Sequence, residues 1–322
     1  MNQNTQDTDL SAGGGLTPSA SVAASPEKLR TKPVRRPGRW IGSVVIAYLV
    51  FLLAKFLITS DGMRWNVVGD YLFDTRIIQG AWTTVYLSIL TMAIACVLGI
   101  ALAVARMSES PLLRYPSQAY IWFFRGTPVL VQLIFWFNLA SLTPVISIEL
   151  PFLPSLYEGS TNELITPLVA ALLGLGLNEG AYMAEIVRAG LLSVDNGQTE
   201  AASSLGMRRG HILRRIVLPQ AMRVIIPPSG NEFINLVKTT SLVSVITLSE
   251  LVYSAQSIYT QNFQVIPLLI VASLWYLAMV TVMSFLQRLL ENRYSRGAGR
   301  SATKRRRTFT RLNARQGGST HA

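Results

Sequence analysis

Charged side chains are scarce in this 322-residue sequence: Asp, Glu, Lys and Arg together make up 14%, against 50% hydrophobic residues. So little charge cannot clothe an ordinary soluble domain, which leaves lipid as the solvent for much of the surface. Cysteine is almost missing. The single Cys96 lies in the apolar run from Met92 to Leu102, which excludes an intramolecular disulfide and a cysteine-based metal cluster and leaves a helix-packing role. Histidine is rare too, and His211 and His321 stand apart without metal-ligand spacing. Acidic residues number 17 against 29 basic ones, a formal net charge of +12. That excess suits nucleic acid or a membrane surface, and the positions of the basic residues decide between them.

The first forty residues are polar, rich in Ser, Thr, Gly and Pro, and close with Lys28, Arg30, Lys32, Arg35, Arg36 and Arg39. They read as a disordered leader. The apolar run from Ile41 to Ile58 has this long leader before it and no small-residue cleavage site after it, so it reads as a retained membrane helix. Lys55 near its outer end can snorkel to the interface. A bilayer core takes roughly 20 apolar residues per helix. Four more runs come close: Ala81 to Ala105, Ala119 to Leu142, Leu164 to Val187 and Val265 to Leu286.

Short cytoplasmic loops collect Lys and Arg. Six basic residues sit in the leader, three in the Arg106 to Arg125 connection, six between Arg188 and Arg223, and ten from Arg288 onward. Thr59 to Gly80, Thr143 to Glu163 and Glu250 to Gln264 hold only Arg64 and Arg76, so these are the expected outer loops. The basic loop ending near Arg223 and the basic tail then both belong inside, with one clean span between them. A second crossing is required, within Val224 to Leu248, where Pro227, Pro228, Gly230, Asn231, Glu232, Asn235 and Lys238 defeat a hydropathy scan. A helix this polar survives in a membrane only under cover of protein or beside a water-filled path. The count becomes about six helices with both ends in the cytoplasm and a solvated basic tail from Ser295 that contains Lys304, Arg305, Arg306 and Arg307. Anionic lipid, and not nucleic acid, is the expected neighbour of that tail. No internal repeat is visible.

The longest interior cytoplasmic segment reads Glu200-Ala201-Ala202, three residues, Gly206, nine residues, then Ile216-Val217-Leu218-Pro219. The small-residue start allows close approach to a partner, and Gly206 suits a corner where a side chain would obstruct the turn. Ile212, Leu213 and Ile216 then fall at helical spacing beside Arg208, Arg209, Arg214 and Arg215, the pattern of an amphipathic helix that Pro219 ends or redirects. A surface helix on the lipid interface would explain the two faces but not the Ala pair and the Gly corner. The pattern resembles the EAA loop of permease subunits in bacterial ABC importers, where that loop is the coupling helix that docks into the ATP-hydrolysing subunit.

The resemblance narrows to polar amino acid permeases of the histidine, glutamine and arginine type and covers most of the chain from Gln79 to about Leu290. It includes Gln79-Gly80-Ala81-Trp82-Thr83-Thr84 with Leu87-Ser88, Phe124-Arg125-Gly126-Thr127-Pro128, Gly180-Ala181-Tyr182 with Ala184-Glu185, and Arg188-Ala189-Gly190. Further on come Gly197-Gln198, Pro219-Gln220-Ala221, Asn231-Glu232 and Lys238-Thr239-Thr240-Ser241-Leu242. It implies an all-α polytopic membrane protein with a type I ABC importer permease core over residues 79–294 and a coupling loop over 197–219. The leader 1–40, an added helix and outer loop over 41–78, and the tail 295–322 surround that core. The implied partners are ABC ATPase subunits carrying ATP and magnesium, a second permease subunit of the same or a related chain, and an external substrate-binding protein. The implied location is the bacterial inner membrane.

Asn178, Glu179, Tyr182 and Glu185 fall within one sector of the fourth helix, roughly 120° wide, and Glu232, Asn235, Lys238 and Thr239 fall within a similar sector of the fifth. Acids inside a membrane are expensive unless paired or wetted, so the two faces are candidates to line a path for a polar amino acid. The plainer alternative pairs Glu179 or Glu185 with Arg188 or Lys238 to hold helices together. Arg125-Gly126-Thr127-Pro128 reads as a Pro-initiated helix start with an interfacial Arg. No phosphate-cradling loop of the form Gly, four residues, Gly-Lys-Ser or Thr occurs, so ATP hydrolysis falls to another chain. An ion-coupled secondary transporter using the same acids would often be built from inverted repeats, which are not seen. A membrane scaffold or sensor whose basic ends recruit partners is the remaining rival.

Overall fold

The computed structural model describes residues 37–148 and 157–295. The leader before residue 37, most of the basic tail, and the middle of the outer connection after Leu142 lie outside the described residues. The chain divides into two compact units, Met1–Thr59 and Ser60–Ala322. In the first, helix α1 spans Pro37–Thr59 and is apolar all round over Gly42–Thr59, the mark of a helix made for lipid.

The second unit opens with α2 (Trp65–Leu72) and the long α3 (Thr75–Met107). Asp74 caps α3: its Oδ1 accepts from the Arg76 backbone N–H at 2.9 Å, and the Arg76 guanidinium, bonded to the same carboxylate, holds it below its usual range. After α3 come α4 (Pro111–Gly126) and α5 (Val129–Phe137). A short antiparallel hairpin of β1 (Val145–Ile148) and β2 (Tyr157–Ser160) follows, pairing Val145 with Ser160. Then α6 (Thr161–Leu164) leads into α7 (Pro167–Leu192), which starts with Thr166 as cap and Pro167 in the first turn.

The sequence reading treats Ala119 to Leu142 as one span. The structure breaks it: α4 and α5 meet at 101° across Thr127 and Pro128. The cause is local. Pro128 has no N–H, so the Phe124 carbonyl four residues earlier loses its helical donor. Two side-chain amides replace it, Gln132 Nε2 from α5 at 3.2 Å and Asn178 Nδ2 from α7 at 2.6 Å.

The segment expected on the cytoplasmic side folds into α8 (Asn196–Ser204), α9 (Arg209–Ile212) and a π-turn over Leu213–Val217 that runs into α10 (Leu218–Thr239). Pro219 was expected to end or redirect the chain. It does neither, and the helical course continues to Ile246. The wider π-turn just before Pro219 accommodates its missing N–H and bulky ring. Pro227 and Pro228 likewise sit inside α10. Gln287 of the last helix donates to the Pro227 carbonyl at 3.3 Å and to Asn231 Oδ1 at 3.0 Å, pinning this stretch.

The chain closes with α11 (Leu251–Asn262), bent 46° from the preceding helix, and α12 (Val265–Ser295). Two of the expected outer loops therefore contain helices: α2 lies within Thr59 to Gly80 and α11 within Glu250 to Gln264. Among the described residues, α1, α3 and α12 are each long and apolar enough to cross a membrane, and each bent pair qualifies if taken as one span. The fold is all-α apart from the hairpin.

Backbones approach closely between α3 and α7, where a Cβ on Gly99 would come within 2.6 Å of Met183 Cβ and 3.0 Å of the Ala184 nitrogen. Lipid offers no hydrophobic drive to bring helices together, so such contact supplies the dispersion that does. One buried cluster joins Val68, Ile77, Val237, Leu251, Ile258 and Leu268 across α2, α3, α10, α11 and α12. A second joins Leu87, Leu133, Leu175 and Leu236 across α3, α5, α7 and α10.

Candidate functional site

The predicted residues on α7 have different surroundings. Asn178 is spent on the Phe124 carbonyl orphaned by Pro128. Glu179, one position on, is 8% exposed, and its Oε1 has no hydrogen-bond partner. A buried carboxylate oxygen without a donor adds nothing to stability, so this position is not chosen for stability. Glu232 on α10 is close enough to act on Glu179 electrostatically. Of the other α10 residues, Asn235 and Lys238 are exposed, while Thr239 is half-buried and its hydroxyl donates to the Asn235 carbonyl at 3.0 Å.

Glu185 is surrounded by cations. Arg188 Nε lies 2.9 Å from its Oε2, Arg106 of α3 pairs with its Oε1, and Arg125 of α4 stands 4.0 Å away. The Arg125 guanidinium rests over the Tyr182 ring at 5.0 Å. Pairing with Arg188 was weighed in the sequence for this acid; Arg106 and Arg125 were missed. The Phe124-Arg125-Gly126-Thr127-Pro128 stretch carried a signal for Arg125, and the end of α3 none for Arg106, because their convergence is purely tertiary.

At the corner after α8, Gly206 has φ +75°, a conformation that side chains resist. Its N–H bonds the Ser203 carbonyl at 2.9 Å and the Met207 N–H bonds Ala202 at 3.2 Å, the paired closure of a helix C-terminus that needs glycine at this position. Ala202 and Ile212 are buried at the junction of α8 and α9, whereas Glu200, Ala201, Leu218 and Pro219 are exposed and Ile216 is half-buried. Leu205, Leu213 and Leu218 stand exposed among Arg208, Arg209, Arg214 and Arg215, a surface both apolar and basic.

Another buried acid escaped the sequence reading. Glu250 is fully buried and caps α11: Oε1 accepts from the Tyr253 N–H at 2.7 Å and Oε2 from the Tyr276 hydroxyl of α12 at 2.9 Å. Thr84 of α3 joins the cluster by accepting from the Leu251 N–H at 3.2 Å. An acid just before the apolar spacing Leu251, Ala255, Ile258 was the available sign of a helix cap.

Residues 95–296 match the family described as binding-protein-dependent transport system inner membrane component. The arginine transport system permease protein ArgU of Corynebacterium glutamicum is 43% identical over 92% of this chain and 92% of its own length. The L-cystine transport system permease protein TcyB of Bacillus subtilis is 38% identical over 74% of this chain and 95% of its own. The glutamine transport system permease protein GlnP of Escherichia coli K12 is 34% identical over 67% and 92%. Among solved structures, an amino acid ABC transporter crystallised with histidines superposes with a TM-score of 0.57 at 33% identity, covering 68% of this chain and 94% of that one. The MetNI methionine ABC transporter gives 0.54 at 17% identity over 73% and 99%, a likeness of fold alone.

Proposed function

Because the chain belongs to the inner membrane components of binding-protein-dependent transport systems, we propose that it is the permease subunit of an ATP-driven importer and passes polar amino acids along the face shared by α7 and α10. It is a transport component, and ATP is hydrolysed by a separate subunit. Its external binding protein delivers the cargo. In this reading a second permease copy or close relative completes the path, and two ATPase subunits hold the ATP and magnesium. Six crossings, formed by α1, α3, the bent α4–α5 pair, α7, α10 with α11, and α12, leave both termini in the cytoplasm.

The observation that carries the path is Glu179, nearly buried, unsatisfied at one oxygen, and within electrostatic reach of Glu232. Two like acids within electrostatic reach of each other favour a cation between them. That favours the ammonium of an amino acid, and a cationic side chain above a neutral one. Glu232, Asn235, Lys238 and Thr239 line the opposite wall, while Asn178, Tyr182 and Glu185 shape the near one through their partners on α3 and α4. The experiment is uptake of labelled arginine and glutamine by membranes carrying Glu179→Gln, alongside its thermal melting. Uptake should fall at least tenfold with the melting temperature unmoved, and normal uptake would defeat the path.

For the coupling surface, Glu200, Ala201, Ala202, Gly206, Ile216, Leu218 and Pro219 are the residues that meet the ATPase. The exposed leucines and arginines around Gly206 support this, since an apolar and basic surface left open at a loop invites a partner. Gly206→Asp should insert normally yet lose both ATPase co-purification and uptake; transport by a complex that retains its ATPase would sink the assignment.

A further inference from the structure

Near the end of α3 a partly open cavity of about 450 Å³ lies among α3, α4 and α7, with Arg106, Gln118, Trp122, Arg125, Tyr182 and Glu185 in a wall that is part polar and part apolar. Its charges do not balance. Three guanidiniums, with that of Arg188, surround the single Glu185 carboxylate, an excess of two positive charges. Arg188 and Arg106 occupy one carboxylate oxygen each. Arg125, at 4.0 Å, is beyond hydrogen-bond distance, and 43% of its side chain is exposed. It is a cation held in place by the Tyr182 ring and still short of an anion.

The surroundings say which anion. Trp122 at the rim is 78% exposed, and Leu112, Leu113, Tyr115 and Phe123 of the same helix are exposed as well. A helix that turns Trp, Tyr, Phe and Leu outward while carrying Arg114 and Arg125 belongs at the level where acyl chains meet headgroups. A free anion would satisfy Arg125 and leave that apolar face bare. We propose that this cavity holds the phosphate of an anionic phospholipid, with Arg125 as its main ligand, Trp122 against the glycerol region and the acyl chains lying along α4. The cavity shares Tyr182 and Glu185 with the near wall of the proposed path, and the lipid it holds is not the cargo.

The test uses the purified full chain in phosphatidylcholine nanodiscs containing increasing fractions of brominated phosphatidylglycerol, or brominated phosphatidylcholine as control, with tryptophan fluorescence as the readout. Trp122→Phe isolates the signal of this one ring from the other tryptophans. Quenching of Trp122 should saturate at a low fraction of phosphatidylglycerol and show no saturation with phosphatidylcholine. Arg125→Gln should raise the half-saturating fraction about fivefold, the worth of one arginine at an anionic membrane surface, and Arg125→Lys less. If Arg125→Gln fails to fold, the wild-type contrast between the two lipids and the Arg125→Lys shift still decide. Equal quenching by both lipids, or saturation unchanged in the Arg125 variants, would overturn the proposal. Reversal of the quenching by inorganic phosphate would assign the cavity to a free anion instead of a lipid.

Discussion

Glu250 and Glu179 are both buried acids of the same helical unit, and their surroundings are opposite. Glu250 has donors on both oxygens and ties α11 to α12, with Thr84 of α3 beside it. Glu179 keeps an oxygen without a donor. A fold spends a satisfied acid on its own cohesion, whereas an unsatisfied one is tolerated where something else will meet it. On the proposed reading, cohesion and transport are told apart in this chain by hydrogen-bond completeness more than by burial.

Four substitutions can break or sharpen that contrast. Glu250→Ala should cost most, on the order of 3 kcal/mol or more, because it strands the Tyr276 hydroxyl and the first turn of α11 together. Thermal melting of the purified chain should fall by several degrees, and an unchanged melting point would refute the cohesive role. Glu185→Gln comes next, at about 1–2 kcal/mol, since its arginines are partly solvated and screened; melting that rises with added salt in the variant but not in the wild type would mark the released repulsion. Tyr276→Phe should cost about 1 kcal/mol, the worth of one hydrogen bond, and a double-mutant cycle with Glu250→Ala should show strong coupling. The smallest stability change, near zero, belongs to Glu179→Gln. If that variant melts as low as Glu250→Ala, the two acids do not differ in kind.

Much of this was readable in advance, and the rest was hidden for physical reasons. The runs that became α3, α7 and α12 are continuous and apolar. The polar α10 emerged from charge parity alone, because basic residues on both sides of Arg223 to Arg288 demanded another crossing. Gly206 was placed at its corner by the turn it had to make. Hydropathy is blind to a missing N–H, however, so Ala119 to Leu142 looked unbroken although Pro128 stood inside it. Helices α2 and α11 are too short to stand out in a hydropathy profile. Yet Val67, Val68, Tyr71 and Leu72, and then Leu251, Ala255 and Ile258, repeat at helical spacing. Within the candidate site, the acids on α7 were found by their period. That one acid gathers three arginines and its neighbour none of them depends on α3 and α4 being folded against α7, which no local pattern encodes.

The π-turn over Leu213–Val217 makes one rod of the segment from Arg209 to Ile246. Over its regular part, Leu218–Thr239, each residue advances the helix by about 100°. Whatever twists the arginine-rich end must then turn Glu232 as well, as a key turns the bolt at the far end of its shank. Removing a single residue from the regular helix between Leu218 and Glu232 would leave both ends chemically intact but out of phase by about 100°, with Glu232 swung away from Glu179.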